Sequence, residues 1–185
     1  MTSLEEIQQR FTDELREVDD VAQIVLKGHL VMEGLMTEAI ETFLLHGEFL
    51  DAARLQVHQK IAICRAISTS DQNNKMWDLV SSINVVRNAL SHSLNLDRRT
   101  RAIQNLRAVY EQHFKDMADS ENGIPKGIEK DMPADTALCL YAVAGALGYL
   151  HAHLEEVRRF KSIVVELDAA MNKGALFKST VEVSA

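Results

Sequence analysis

The sequence predicts one all-helical domain: an up-down bundle of five to six helices closed by a long C-terminal helix. Three observations point there. Apolar residues recur at spacings of three and four along nearly the whole chain, the period of a helix with one buried face. The only two prolines, Pro125 and Pro133, fall in a single stretch, SENGIPKGIEKDMP. No alternating strand segment, internal repeat or low-complexity run interrupts the pattern. At 185 residues the chain is long enough to bury one sizeable core.

Residues 3–18 form a short amphipathic helix, and residues 20–45 a longer one that stops near His46 and Gly47. The stripe of this second helix is Val21, Val25, Met32, Leu35, Met36, Ala39 and Phe43. At its centre stands Gly28, where a missing side chain lets another helix approach closely. The period repeats over 50–67; the capping-rich STSDQNN then precedes a helix over 74–92, and NLD opens another from about 98 to 118. A loop over 119–133 separates this core, residues 20–118, from a final helix over 134–172 and a flexible tail over 173–185. That final helix would span about 58 Å, so it either kinks near Gly145 and Gly148 or reaches into a partner. Its small residues Ala142, Gly145, Ala146 and Gly148 permit close approach by another helix.

Composition narrows the function classes. The two cysteines, Cys64 and Cys139, match no disulfide framework or zinc-ligand spacing and read as small core residues of a reducing, cytoplasmic protein. The acidic N-terminus MTSLEEIQQRF lacks the basic flank and apolar core of a signal peptide. The most apolar run, within 136–154, contains Gly, Ala and two His, and reads as a buried helix rather than a membrane span. A net charge of −7 argues against sequence-independent coating of nucleic acid. Locally the balance reverses: between Asn84 and Arg107 five arginines (87, 98, 99, 101 and 107) face one acid, Asp97.

That basic stretch surrounds RNALSH, residues 87–92, at the end of a helix whose stripe is Met76, Leu79, Val80, Ile83, Val86, Leu90 and Leu94. Arg87 falls in the middle of this apolar arc. A guanidinium aimed at a core requires a partner or a ligand, because it cannot shed its charge. Asn84, Asn88, Ser91 and His92 make one flank of the stripe polar. His29 and Glu33, bordering the stripe of the 20–45 helix, are the candidate partners, with Glu33 expected to hold Arg87 as a structural ion pair.

RNALSH, preceded by WDLVSSINVV, resembles the Arg-polar-x-x-x-His signature of the HEPN superfamily of small helical proteins, with Arg87, Asn88 and His92 on the three defining positions. The segments LKGHLVMEGLMTEAIETFL and LDAARLQVHQKIAICRAI are similar to a group of bacterial HEPN-like proteins, so the resemblance covers about residues 20–95. It implies a metal-independent endoribonuclease that needs no cofactor, is a homodimer with paired motifs, and leaves 2',3'-cyclic phosphate ends. His92 would move the proton, Arg87 would stabilise the phosphorane, and Asn88 would orient the histidine or donate to phosphate. Arg98, Arg99 and Arg101 would hold flanking RNA phosphates, or simply form a solvated helix start. Such proteins act as toxins or phage-defence effectors, some with a protein partner or antitoxin; other members are non-catalytic regulatory or scaffolding dimers.

Other chemistries find less support. His151 and His153 lie two apart, a poor metal pair on a helix, and read as partly exposed; His58 and His113 stand alone. Tyr141, Tyr149 and Phe160 read as packing residues of the last helix. There is no phosphate-cradling glycine loop, GxSxG or HExxH.

Overall fold

The computed structural model describes residues 6, 9, 21–70, 73–92, 96–113 and 132–174, with the side chains of 48, 51, 52, 92 and 96 left aside. The expected helix over 3–18, most of the 119–133 loop and the tail beyond 174 lie outside the described residues; positions 6 and 9 are helical. The chain forms an all-helical bundle of α1 (Val21–Phe43), α2 (Val57–Ile67), α3 (Met76–His92), α4 (Leu96–His113) and α5 (Ala134–Asn172), with a 3-10 segment at Gly47–Ala53. No strand occurs among the described residues.

α1 buries Val21, Ile24, Val25, Gly28, Met32, Leu35, Met36, Ala39 and Ile40, the three-and-four spacing of a helix covered along one face. Its main partner is α5. A Cβ on Gly28 would stand 2.3 Å from Val143 Cγ1 and 3.4 Å from Val143 Cβ, so the absent side chain is what allows this approach. Fifteen residues on, Phe43 stacks on Phe160 at 5.7 Å. The two helices therefore run parallel, tied further by Arg158, which pairs with Glu38 of α1 and Glu155 of α5.

The helix expected over 50–67 is split. Gly47 folds back on α1, where a Cβ would meet the Glu41 Cα at 2.8 Å, and the 3-10 segment ends at Arg54 in the left-handed region, φ 46°. A left-handed residue cannot continue a helix. α2 then restarts where the Gln56 amide donates to Gln59 Oε1 at 2.8 Å. Asn74, from the expected capping cluster, accepts from the Met76 amide at 2.9 Å and starts α3. α4 begins two residues before its expected start, and positions 114–118 of its expected span lie outside the described residues.

Trp77, only 1% exposed, packs edge-on against Tyr149 and His153 near the start of α3. Two turns on, Asn84 reaches His29, beside the Gly28–Val143 crossing. α3 therefore descends antiparallel to α5. α5 is hydrogen-bonded as helix without a break from Ala134 to Asn172. Ala142 and Ala146 are enclosed, whereas Cβ atoms on Gly145 and Gly148 would meet open space. The close approach expected of all four small residues is thus made by the alanines. α5 is long and apolar enough to cross a membrane, but 56% of its most apolar stretch is buried among the other helices, as in the core helix of a bundle. Both cysteines are enclosed, and burial pushes each thiol up to about 12, which suits core residues rather than nucleophiles.

Candidate functional site

On α1, His29, Glu33 and Thr37 recur every four residues and line one edge of the buried face. Each is met by a polar side chain from a neighbouring helix or by its own backbone. His29 Nε2 lies 3.1 Å from Asn84 Oδ1 on α3; the amide oxygen accepts, so Nε2 carries the proton. Lys60 of α2 donates to Glu33 Oε1 at 2.8 Å and to Thr37 Oγ1 at 3.0 Å. The Thr37 hydroxyl in turn donates to the Glu33 carbonyl at 2.8 Å. A polar seam thus runs between α1, α2 and α3.

The seam corrects the expected Glu33–Arg87 ion pair. Glu33 is taken by Lys60, whose side chain is only 14% exposed and which at that depth needs a counter-ion. Arg87 instead donates to Asn88 Oδ1 at 3.2 Å, and no carboxylate pairs with it among the described residues. It is half-buried rather than aimed into the core. The reason lies in α3 itself. Near its start the helix buries Met76, Trp77, Leu79 and Val80, and further on Ile83, Val86 and Ala89, so its core face turns by roughly a quarter turn as α4 packs on it. Arg87 is carried to the edge of that face, toward His29.

The electrostatics bind these groups into one site. Burial holds the His29 imidazole below its ordinary value; the Asn84 hydrogen bond opposes this, and the Arg87 charge lowers it further, with smaller effects from Glu33 and Lys60. A neutral histidine is therefore fixed beside a permanent cation. His29 is 1% exposed, so it positions rather than touches a ligand. The sequence names His29 as a candidate partner of Arg87 but does not join it to Asn84; the four-residue recurrence of polar groups along α1 is the available signal.

His92 closes α3 with its backbone, but its side chain and residues 93–95 lie outside the described residues. On the first turns of α4, Arg98 and Arg101 are exposed and Arg99 is half-buried. Arg107 pairs with Asp135 at 2.6 Å and with Glu111 at 3.6 Å, so the local positive balance is partly neutralised by ion pairs at the surface. A cleft of about 280 Å³ adjoins the seam, lined by Glu33, Thr37, Ile40, Glu41, Arg54 and Lys60. No cluster of three or more His, Cys, Asp or Glu suited to a metal occurs among the described residues.

A second polar spot was misjudged in the sequence. His153, read as partly exposed, is 2% exposed and packs edge-on against Trp77 at 5.5 Å. Neither of its ring nitrogens nor Trp77 Nε1 has a hydrogen-bond partner among the described residues.

The class these observations define is an all-helical bundle with a half-buried arginine, paired with no carboxylate among the described residues, one turn beyond a part-buried Asn–His bond. No protein-family model, curated protein or solved structure matches the chain.

Proposed function

We propose that the protein is an endoribonuclease of HEPN type, acting through Arg87, Asn88 and His92 without a metal or other cofactor. The observation that supports this best is Arg87: a half-buried guanidinium with no carboxylate counter-ion among the described residues, held by its neighbour Asn88. A permanent charge at that depth gains from an anion, and a guanidinium matches two phosphate oxygens at once. In the proposed reaction the RNA 2'-hydroxyl attacks the adjacent phosphorus, and the phosphorus–5'-oxygen bond breaks. His92 takes the hydroxyl proton, the leaving 5'-oxygen is reprotonated, and Arg87 stabilises the charge that develops on the phosphorane. The products are a 2',3'-cyclic phosphate and a 5'-hydroxyl. Arg98, Arg99 and Arg101 hold flanking phosphates, and the His29–Asn84 bond fixes the motif helix against α1. Two copies bring their motifs together in a homodimer. A cytoplasmic toxin or phage-defence role, with an antitoxin or other protein partner, follows from the resemblance alone.

A second reading, a non-catalytic regulatory or scaffolding dimer, is favoured by the exposed apolar residues along the end of α5. The two separate in one assay. End-labelled RNA is incubated in excess EDTA with the wild type, Arg87→Ala and His92→Ala, each checked for folding. Cyclic-phosphate ends from the wild type, with cleavage reduced at least about 100-fold in both variants, support the nuclease. No cleavage of any RNA by the folded wild type overturns it in favour of the scaffold.

A further inference from the structure

Beyond α1 the chain turns back: Gly47 lies against the Glu41 backbone, and the 3-10 segment leads from there to α2, whose Lys60 returns to α1. Arg54 ends the 3-10 segment at φ 46°, a backbone state that is costly for a residue with a Cβ, and this break sets Arg54 and Leu55 in the lining of the cleft beside the seam. The cleft holds about 280 Å³. Pockets that take drug-sized ligands run to roughly 300–1,000 Å³, so its size suits a small metabolite.

Four charges line the cleft, two of each sign: Glu33, Glu41, Arg54 and Lys60. One pair is internal. Lys60, at 14% exposure, donates to Glu33 Oε1 at 2.8 Å and to Thr37 Oγ1 at 3.0 Å. An ammonium has three protons to donate, and the third finds no acceptor among the described residues. Arg54 and Glu41 stand exposed at the rim, and neither pairs with a side chain among the described residues. Thr37 and Glu41 lie one turn apart on α1, about 6 Å along its axis. Because Lys60 sits on Thr37, its spare donor and the Glu41 carboxylate line the cleft roughly one helical turn apart. Ile40, Leu50 and Leu55 supply the apolar part of the lining.

With two charges of each sign, a net anion or a net cation gains from one pair and loses to the other. A zwitterion gains from both. In an α-amino acid the ammonium and the carboxylate share one carbon, which suits a cationic donor and an anionic acceptor one turn apart. We propose that this cleft binds a free α-amino acid with an aliphatic side chain. Its carboxylate accepts from the third N–H of Lys60 and from the Arg54 guanidinium, its ammonium donates to Glu41, and its side chain lies on Ile40, Leu50 and Leu55. The site stands apart from the RNALSH motif and does not rest on the nuclease reading: ligand binding and RNA cleavage are measured separately.

The test is isothermal titration calorimetry of the full chain with L-leucine, L-isoleucine and L-valine. At least one is expected to bind. Isocaproate, which is leucine without its ammonium, and isopentylamine, which is leucine without its carboxylate, should each bind at least about tenfold more weakly than leucine, because each leaves one pair of charges unanswered. Arg54→Gly removes the guanidinium and keeps the backbone, since glycine adopts φ 46° freely; Glu41→Gln removes the acceptor charge at an exposed position. Both variants should keep the wild-type circular dichroism and lose at least about tenfold in affinity. Three results overturn the proposal. One is a folded wild type that gives no heat and no rise in melting temperature with any of the three amino acids at about 10 mM. Another is isocaproate or isopentylamine binding as tightly as leucine, which makes the site one for a simple anion or cation. The third is amino-acid binding that survives both Arg54→Gly and Glu41→Gln, which places the ligand elsewhere.

Discussion

Two histidines are almost equally enclosed in this bundle, His29 at 1% exposure and His153 at 2%, yet they do different work. His29 spends its proton on Asn84, one turn before Arg87 on the motif helix. His153 packs its ring edge-on against Trp77 and leaves both nitrogens without a partner among the described residues. Burial therefore does not mark a site by itself. What marks it is the partner set: around His29 the polar groups of three helices answer one another, whereas around His153 the indole and imidazole nitrogens are both left over. The first arrangement fixes the register of α1 on α3. The second serves packing, at a polar cost that packing must outweigh.

The largest effect is expected on the packing side. Trp77→Ala removes the side chain that Tyr149 and His153 both lie against, and should cost about 3–5 kcal/mol. Urea unfolding followed by far-ultraviolet circular dichroism reads this directly. A loss below about 1 kcal/mol would mean that His153 and Tyr149 are held by something other than the indole.

On the seam side the expected effect is smaller and has a signature of its own. Asn84→Leu takes away the acceptor of His29 and strands a buried donor, costing about 1–3 kcal/mol. Replacing both partners, His29→Leu with Asn84→Leu, removes the stranded group as well, so the double variant should be more stable than Asn84→Leu alone. Additive losses in this cycle would show that the two side chains contribute separately and that the bond does not tie α3 to α1.

The same pair of regions shows what the sequence could convey. Helical periodicity exposed the fold, the Gly28 crossing and the end of α3 at RNALSH, because each depends on spacing within one helix. Arg87 was misplaced because a fixed arc was projected along α3, whereas the buried face turns as α4 packs on it. Glu33 was assigned to Arg87 because Lys60 comes from another helix, and the choice between two cations is made by tertiary placement. The break at Arg54 depends on one left-handed residue with no glycine to announce it. His153 reads as partly exposed because nothing in the spacing of His151 and His153 shows which ring Trp77 covers. The catalytic part of the motif stays with the resemblance, since His92 lies outside the described side chains.

The smallest effect follows from protonation. Burial holds His153 below its ordinary value of 6.5, with Glu156 opposing more weakly, so the folded protein keeps the ring neutral while the unfolded chain can charge it. The stability that depends on the neutral ring is complete above pH 6.5 and is lost as the pH falls below it, because the unfolded state then binds the extra proton. His29 acts in the same direction, so the wild type should melt at lower temperature at pH 5 than at pH 7.5. His153→Leu separates the two rings. It removes an unpartnered polar group and puts an aliphatic side chain of similar size against Trp77 in place of the imidazole, so at pH 7.5 it should lie within about 1.5 kcal/mol of the wild type. Its melting temperature should also fall less on acidification, leaving the part due to His29. An unchanged pH dependence in His153→Leu would place the acid sensitivity on the seam and make His153 a packing residue that does not titrate with unfolding.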